Sequence, residues 1–225
     1  MRRRVPHGNA VMKARLPWLV MLIGISLLTT NSCSREMDKK PRPEYKRNPN
    51  SVQAHRLRMR IQDAPGPLKV VVSATQHDVV TPECLPAPND NPGGHLSPIP
   101  TNDIPFELER VSDTEYTGVF YADGMIDEDY HGHGVCRWEL IQVQVQLKAT
   151  GAEGETRFVA SLSRDEIRPG RSKTIYFWKG AHPGDPASSI NDLPNFGQTD
   201  RSRMAAWVKD EDVFSVTLQD DGGAP

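Results

Sequence analysis

Cys136-Arg-Trp-Glu-Leu-Ile-Gln-Val-Gln-Val-Gln-Leu-Lys-Ala149 is the stretch of this chain with the clearest alternation of apolar and polar residues. Trp138 and Leu140 share one phase of a two-residue period, and residues 143–149 continue in the other phase. Such alternation predicts a β-strand with one buried face. The change of phase at Ile141-Gln142 predicts a β-bulge, because one extra residue moves the following side chains to the opposite face. The fold is therefore predicted to form around one long, half-buried strand.

Shorter runs of the same kind lie on both sides of this strand and predict further strands. These runs are residues 55–62, 68–74, 106–111, 116–121, 156–162, 173–178 and 212–219. Residues 112–115 have the composition of a turn and predict a hairpin between the strands that they join. Three segments rich in Pro, Gly, Asn and Asp predict long loops at residues 81–105, 123–134 and 180–198.

One short helix is predicted at residues 200–209, with Asp200 as its N-cap and with Met204, Trp207 and Val208 on one face. About eight strands with at most one short helix do not fit an alternating βα plan. The sequence favours an all-β fold, specifically an antiparallel two-sheet sandwich, immunoglobulin-like or transthyretin-like in shape, with long loops.

The N-terminal segment predicts export from the cytoplasm. Residues 16–28 form an uncharged apolar run of about thirteen residues, and five basic residues precede it. A membrane-spanning helix needs roughly 20 apolar residues, so the run fits a cleaved secretion signal better than a span. Both Met1 and Met12 are compatible with such a signal as the first residue.

Thr30-Asn31-Ser32-Cys33 follows the apolar run and resembles the lipobox of bacterial lipoproteins. The resemblance implies cleavage after Ser32 and a diacylglyceryl group on the thiol of Cys33, which would anchor the protein in a lipid bilayer. Ordinary secretion is the alternative. Ser34 stands where enterobacterial lipoproteins carry Asp when they are kept at the inner membrane, so the resemblance implies the periplasmic face of the outer membrane.

The predicted organisation has four parts. Residues 1–32 are the lipoprotein signal peptide, and residues 33–50 are the lipidated cysteine and a flexible spacer with little to bury. Residues 51–220 are a single β-sandwich domain, a length sufficient for one hydrophobic core. Residues 221–225 are predicted to be a frayed tail.

The mature chain is acidic. Residues 1–32 hold five of the 27 basic residues and no acidic residue, which leaves 22 basic residues against 29 acidic ones and a net charge of −7. The excess lies in the domain, because residues 34–50 carry six basic and three acidic side chains. Nucleic acid is a poor fit as a partner, since phosphate binding needs clustered Lys and Arg. A basic protein or a cation is more compatible.

The cysteines agree with an oxidising compartment. If Cys33 is acylated, only Cys84 and Cys136 remain of the three cysteines, and an even pair predicts a disulfide. Two separate thiols are the alternative. We expect Trp138, two residues beyond Cys136, to pack beside the disulfide in the core.

The loop at residues 123–134 is the sharpest candidate for chemistry. His131 and His133, with Asp129 or Asp127, offer imidazole and carboxylate ligands for Zn²⁺ or Cu²⁺. The alternative is a solvated acidic loop with incidental histidines. The aspartates could also take Ca²⁺, although the loop lacks the spacing of an EF-hand.

No motif of nucleophilic catalysis occurs in the sequence. Gly-x-Ser-x-Gly, Ser-x-x-Lys and His-Glu-x-x-His are all absent. The chain is therefore predicted not to be an enzyme. The alternative is a metal-binding protein or hydrolase that uses the loop at residues 123–134, called the Asp/His loop below.

Residues 132–140, Gly-His-Gly-Val-Cys-Arg-Trp-Glu-Leu, resemble a segment of small uncharacterised proteobacterial lipoproteins. Some of those lipoproteins are encoded beside secreted antibacterial toxins and bind the toxin in the periplasm. The resemblance implies a non-catalytic binding or envelope lipoprotein, with an immunity or inhibitor role against a secreted antibacterial toxin as its most specific form. It implies no set of binding residues.

Overall fold

The computed structural model of the chain describes residues 43–87, 99–184 and 194–223. The predicted signal peptide, Cys33 and the first part of the predicted spacer lie outside these residues. Ten β-strands occur in the described part of the chain, and its helical segments are 3₁₀ turns of three residues. The strands are β1 Ala54–Gln62, β2 Lys69–Val79, β3 Thr101–Pro105, β4 Leu108–Arg110, β5 Glu115–Tyr121, β6 Trp138–Lys148, β7 Arg157–Ser163, β8 Ser172–Trp178, β9 Pro194–Asn195 and β10 Val213–Asp220.

The strands form two five-stranded sheets. The first sheet has the order β4-β5-β1-β10-β8, and the second has the order β3-β2-β6-β7-β9. All neighbouring strands are antiparallel except β7 and the two-residue β9, which are parallel. The prediction of an all-β, two-sheet sandwich is confirmed.

The predicted bulge in β6 is also confirmed. Gln142 of β6 pairs with Gln76 of β2, but the next residue of β2, His77, pairs with Leu140, so Ile141 is the extra residue. Because of this residue, Trp138 and Leu140 face inward together with the later apolar residues of β6, although the sequence places the two groups in opposite phases.

The main core lies between the sheets. Phe158 of the second sheet lies edge-on to Phe177 and Phe214 of the first, with ring centroids 5.4 and 5.1 Å away. All three rings are about 1% exposed or less. The main core consists of Leu57, Met59, Ile61, Tyr116, Phe120, Leu140, Val143, Val145, Leu147, Phe158, Ala160, Leu162, Ile175, Phe177, Ala181, Phe214, Val216 and Leu218.

Gly118 permits a close approach within the first sheet. A Cβ at this position would lie 2.3 Å from the carbonyl oxygen of Glu107, which no side chain can accommodate. β4, which is a short edge strand, can therefore pair with β5 only because residue 118 is glycine.

One predicted strand boundary, two predicted loops and one predicted helix need correction. β2 is longer than predicted, and β3 and β9 lie within segments that were predicted as loops. The predicted helix at residues 200–209 is wrong, because a 3₁₀ turn at Arg201–Arg203 ends at Met204. Asp200 does cap this turn, since its side chain accepts a hydrogen bond from the Ser202 N–H.

The folded domain extends beyond its predicted limits at both ends. Residues 43–50, predicted to belong to a flexible spacer, contact the domain: the Asn48 N–H donates to the Gly124 carbonyl at 2.8 Å. At the other end, Asp221 and Gly222 continue the pairing of β10 with β1 through the backbone of Arg56. These two residues therefore do not belong to a frayed tail.

Candidate functional site

Cys84 and Cys136 form the predicted disulfide. Their Cα atoms lie 5.2 Å apart, and 52 positions separate them in the sequence. The bond joins a 3₁₀ turn after β2 to the segment just before β6. It closes a second hydrophobic cluster, here called the disulfide cluster, which contains Val79, Cys84, Met125, Cys136 and Trp138, with Tyr45, Leu85, Ile104 and Tyr130 packed against it.

Trp138 packs beside the disulfide as predicted, but in this smaller cluster and not in the main core. Tyr45 lies edge-on to Trp138 at 5.0 Å and to Tyr130 at 5.1 Å. The chain before β1 thus supplies an aromatic side chain that packs against one part of Trp138. This contact could not be predicted, because Tyr45 stands among charged residues and prolines in the sequence.

Asp129 holds the Asp/His loop in shape. Its Oδ1 accepts hydrogen bonds from the backbone N–H groups of His131, Gly132 and His133 at 3.3, 2.6 and 3.1 Å. Partial desolvation alone would raise the pKa of Asp129, but these N–H groups outweigh it and keep the pKa below its ordinary value. The carboxylate therefore acts as a turn cap.

The predicted metal ligands are not brought together. Nε2 of His131 lies 3.3 Å from the hydroxyl oxygen of Tyr45, while His133 is exposed. Within residues 43–87, 99–184 and 194–223, no group of three or more His, Cys, Asp and Glu side chains could hold a metal ion. The Zn²⁺ or Cu²⁺ site at Asp129, His131 and His133 stays a prediction without geometric support.

A cleft of about 620 Å³ opens at one end of the sandwich beside the disulfide cluster. Its lining comes from the starts of β1 and β6, from the segments that follow β5 and β7, and from the chain before β1. This volume is within the range of small-ligand sites, roughly 300–1,000 Å³. The end cleft, as it is called below, is lined by Asn48, Gln53, His55, Ala122, Asp123, Met125, Ile126, Asp127, Trp138, Glu139, Leu140, Arg164 and Ile167.

His55 and Asp220 form a hydrogen-bonded pair at the wall of the end cleft. Nδ1 of His55 lies 3.0 Å from Oδ2 of Asp220, and the Asp220 side chain is fully buried. Oδ1 of Asp220 accepts from the Gly222 N–H at 2.9 Å, and the His55 ring stacks on Phe120. Because a carboxylate only accepts, His55 is the donor in this bond through Nδ1.

Three carboxylates and one guanidinium group line the same cleft. Asp123 accepts from the Val52 and Gln53 N–H groups, and Oδ1 of Asp127 accepts from the Trp138 N–H at 2.8 Å. Glu139 forms an ion pair with Arg164. One acidic group of the three is therefore neutralised by Arg164, and the lining keeps a negative balance.

Sequence reasoning missed His55 and Asp220. Both lie in the buried phase of their strands, His55 with Leu57 and Met59, and Asp220 with Leu218. A polar residue in an apolar phase at the end of a strand is the signal that was available. It indicates only that the side chain is buried, because β1 and β10 lie far apart in the sequence and their pairing cannot be predicted from local pattern.

Comparison of the chain with protein-family models, with curated proteins and with solved structures found no match. In the three described segments, no helix combines the length and the apolar character needed to cross a membrane.

Proposed function

We propose that this chain is a lipid-anchored, non-catalytic binding protein at the periplasmic face of the outer membrane of a Gram-negative bacterium. The observation that carries the proposal is the Cys84–Cys136 disulfide. It accounts for two of the three cysteines and leaves Cys33, directly after the apolar run, as the residue for acylation. A disulfide inside a hydrophobic cluster also suits an oxidising compartment.

The specific role we propose is immunity to, or inhibition of, a secreted antibacterial toxin. A net charge of −7 for the mature chain would speed the capture of a basic partner by electrostatic steering. The end cleft offers a concave surface with both apolar and acidic groups. A role in envelope assembly is the less specific form of the same proposal, and it needs the same anchor.

Acylation tests the anchor. Cells that express the full chain are labelled with radioactive palmitate, and the mature protein is followed through membrane fractionation. We expect label on the protein and its recovery with the outer membrane, and both should be lost in Cys33→Ala. The matched control is the double variant Cys84→Ala/Cys136→Ala, which should still take up label. Unlabelled, uncleaved wild-type protein in the cytosol would refute the proposal.

Protection tests the specific role. Toxins encoded beside the gene are directed to the periplasm of cells with and without this protein, and survival is counted. We expect rescue by the wild-type chain against one such toxin, together with co-purification of the two proteins. If deletion causes envelope defects and leaves sensitivity to every neighbouring toxin unchanged, the envelope role stands and the immunity role fails.

A further inference from the structure

We infer that the end cleft binds the side chain of an arginine or a lysine presented by the partner protein. The inference deepens the proposed function, because it names the group that the binding protein recognises and the residues that recognise it. Four features of the cleft support it: its charge, a free carboxylate oxygen, the orientation of His55 and the aromatic floor.

The charge of the lining selects a cation. Asp123, Asp127 and Glu139 face the cleft together with one basic side chain, Arg164, which already pairs with Glu139. Oδ1 of Asp127 is used by the Trp138 N–H, and within the described residues its other oxygen, Oδ2, has no hydrogen-bond partner. A carboxylate oxygen beside an apolar floor binds a guanidinium or ammonium group through a charge-assisted hydrogen bond.

The buried Asp220 fixes the orientation of the His55 ring. Nδ1 of His55 donates a 3.0 Å hydrogen bond to the carboxylate of Asp220. The Asp220 side chain is held in turn by the Gly222 N–H. Asp220 is thus a positioning residue for His55, which lines the cleft.

Trp138 supplies the floor on which the side chain would lie. It is 8% exposed, and it shares the lining with the apolar residues Met125 and Leu140. A cation near an indole face is attracted by the ring quadrupole, and an aliphatic stem packs on apolar surface. The Trp138 indole N–H is buried and has no hydrogen-bond partner among the described residues, and its NMR signal can report on changes in the cleft lining.

An NMR titration of the full-length protein, purified in detergent, tests the inference. The probe is N-acetyl-arginine methylamide, and its matched control is the citrulline analogue, which has the same shape and no charge. We expect a saturable shift of the Trp138 indole N–H signal with the arginine probe, assigned by its loss in Trp138→Phe. We expect binding of the citrulline probe to be on the order of tenfold weaker or more.

Variants of the lining separate recognition from folding. Asp127→Asn keeps an acceptor for the Trp138 N–H and removes the charge, so the affinity for arginine should fall about tenfold or more. His55→Gln and Asp220→Asn should also weaken binding. Asp113→Asn is the matched control, since this carboxylate is 93% exposed on the β4–β5 turn and is not part of the cleft lining. The affinity of this variant for the arginine probe should equal that of the wild type.

Three results would overturn the inference: no shift with the arginine probe, equal shifts with both probes, or wild-type affinity in Asp127→Asn. None of these results would contradict the acylation of Cys33 or protection against a toxin. Conversely, an unacylated cytosolic protein that still binds the arginine probe would refute the proposed location and support the inference about the end cleft. The two ideas can therefore fail separately.

Discussion

The two hydrophobic clusters of this sandwich are held together in different ways. The main core contains eighteen buried apolar residues, most of them from the strands of the two sheets. Three phenylalanine rings pack across it. The disulfide cluster has five buried residues, and a covalent bond joins two of them. Hydrophobic burial scales with area, so the small cluster depends on its disulfide and on Tyr45 to stay closed. The end cleft adjoins the cluster that packing alone stabilises least.

The largest effect is expected in the main core. Phe158→Ala removes a ring that contacts Phe177 and Phe214, and it should lower the free energy of unfolding by about 3–5 kcal/mol. Urea unfolding followed by circular dichroism measures the change. Phe196→Ala, at a ring that is 64% exposed, is the control and should stay within about 0.5 kcal/mol of wild type. Equal losses in both variants would break the distinction between core and surface rings.

Removal of the disulfide should come next. Cys84→Ala/Cys136→Ala opens a loop with a separation of 52 positions and should cost about 2–4 kcal/mol. A reductant should lower the stability of the wild-type chain and leave that of the double variant unchanged. Hydrogen exchange in the double variant distinguishes the disulfide cluster from the main core, because we expect faster exchange in the disulfide cluster and little change in β1 and β10. Uniformly faster exchange would mean that the two clusters unfold as one unit.

Loss of Tyr45 should have a smaller effect, confined to the disulfide cluster. Tyr45→Ala removes the ring contacts to Tyr130 and Trp138 and should cost about 1–2 kcal/mol. Tyr45→Phe keeps the ring contacts and removes the hydroxyl group that lies 3.3 Å from Nε2 of His131, so it should cost less. Fluorescence of the tryptophans during urea unfolding measures both variants. Full wild-type stability of Tyr45→Ala would show that the segment before β1 does not support the cluster.

The smallest effect concerns pH and His77, a β2 residue that is 1% exposed. Burial lowers the pKa of His77, and the nearby carbonyls of Ala122 and Tyr121 and the charges of Asp78 and Asp123 oppose this only in part. The unfolded chain therefore binds more protons below pH 6.5, about the ordinary pKa of histidine. Stability should fall as the pH drops below that value and should not depend on His77 above it.

The variant His77→Leu tests this by the slope of stability against pH between about 5.5 and 8. The wild-type chain should lose stability toward the acid end, and the variant should lose less over the same range. The absolute stability of the variant does not matter for the test. Equal slopes in the two proteins would show that His77 does not titrate differently in the folded and unfolded states.

Local pattern in the sequence was enough to predict most strands and the bulge at Ile141, because alternation records which face of a strand is buried. It was also enough to pair Cys84 with Cys136, on the expectation that Cys33 is acylated. It could not predict β3 or β9, because their segments have a loop-like composition and their pairing with β2 and β7 depends on the tertiary fold. It missed the end cleft for the same reason, because His55 and Asp220 meet only when β1 pairs with β10.

The long separation of Cys84 and Cys136 in the sequence makes thiol chemistry a reporter of folding. The two sulfur atoms meet only when the chain after β2 has reached the chain before β6. An alkylating reagent should therefore modify Cys84 and Cys136 in the reduced, unfolded chain and neither of them in the folded, oxidised one. Mass spectrometry after brief alkylation would give the fraction of chains in which the disulfide has formed.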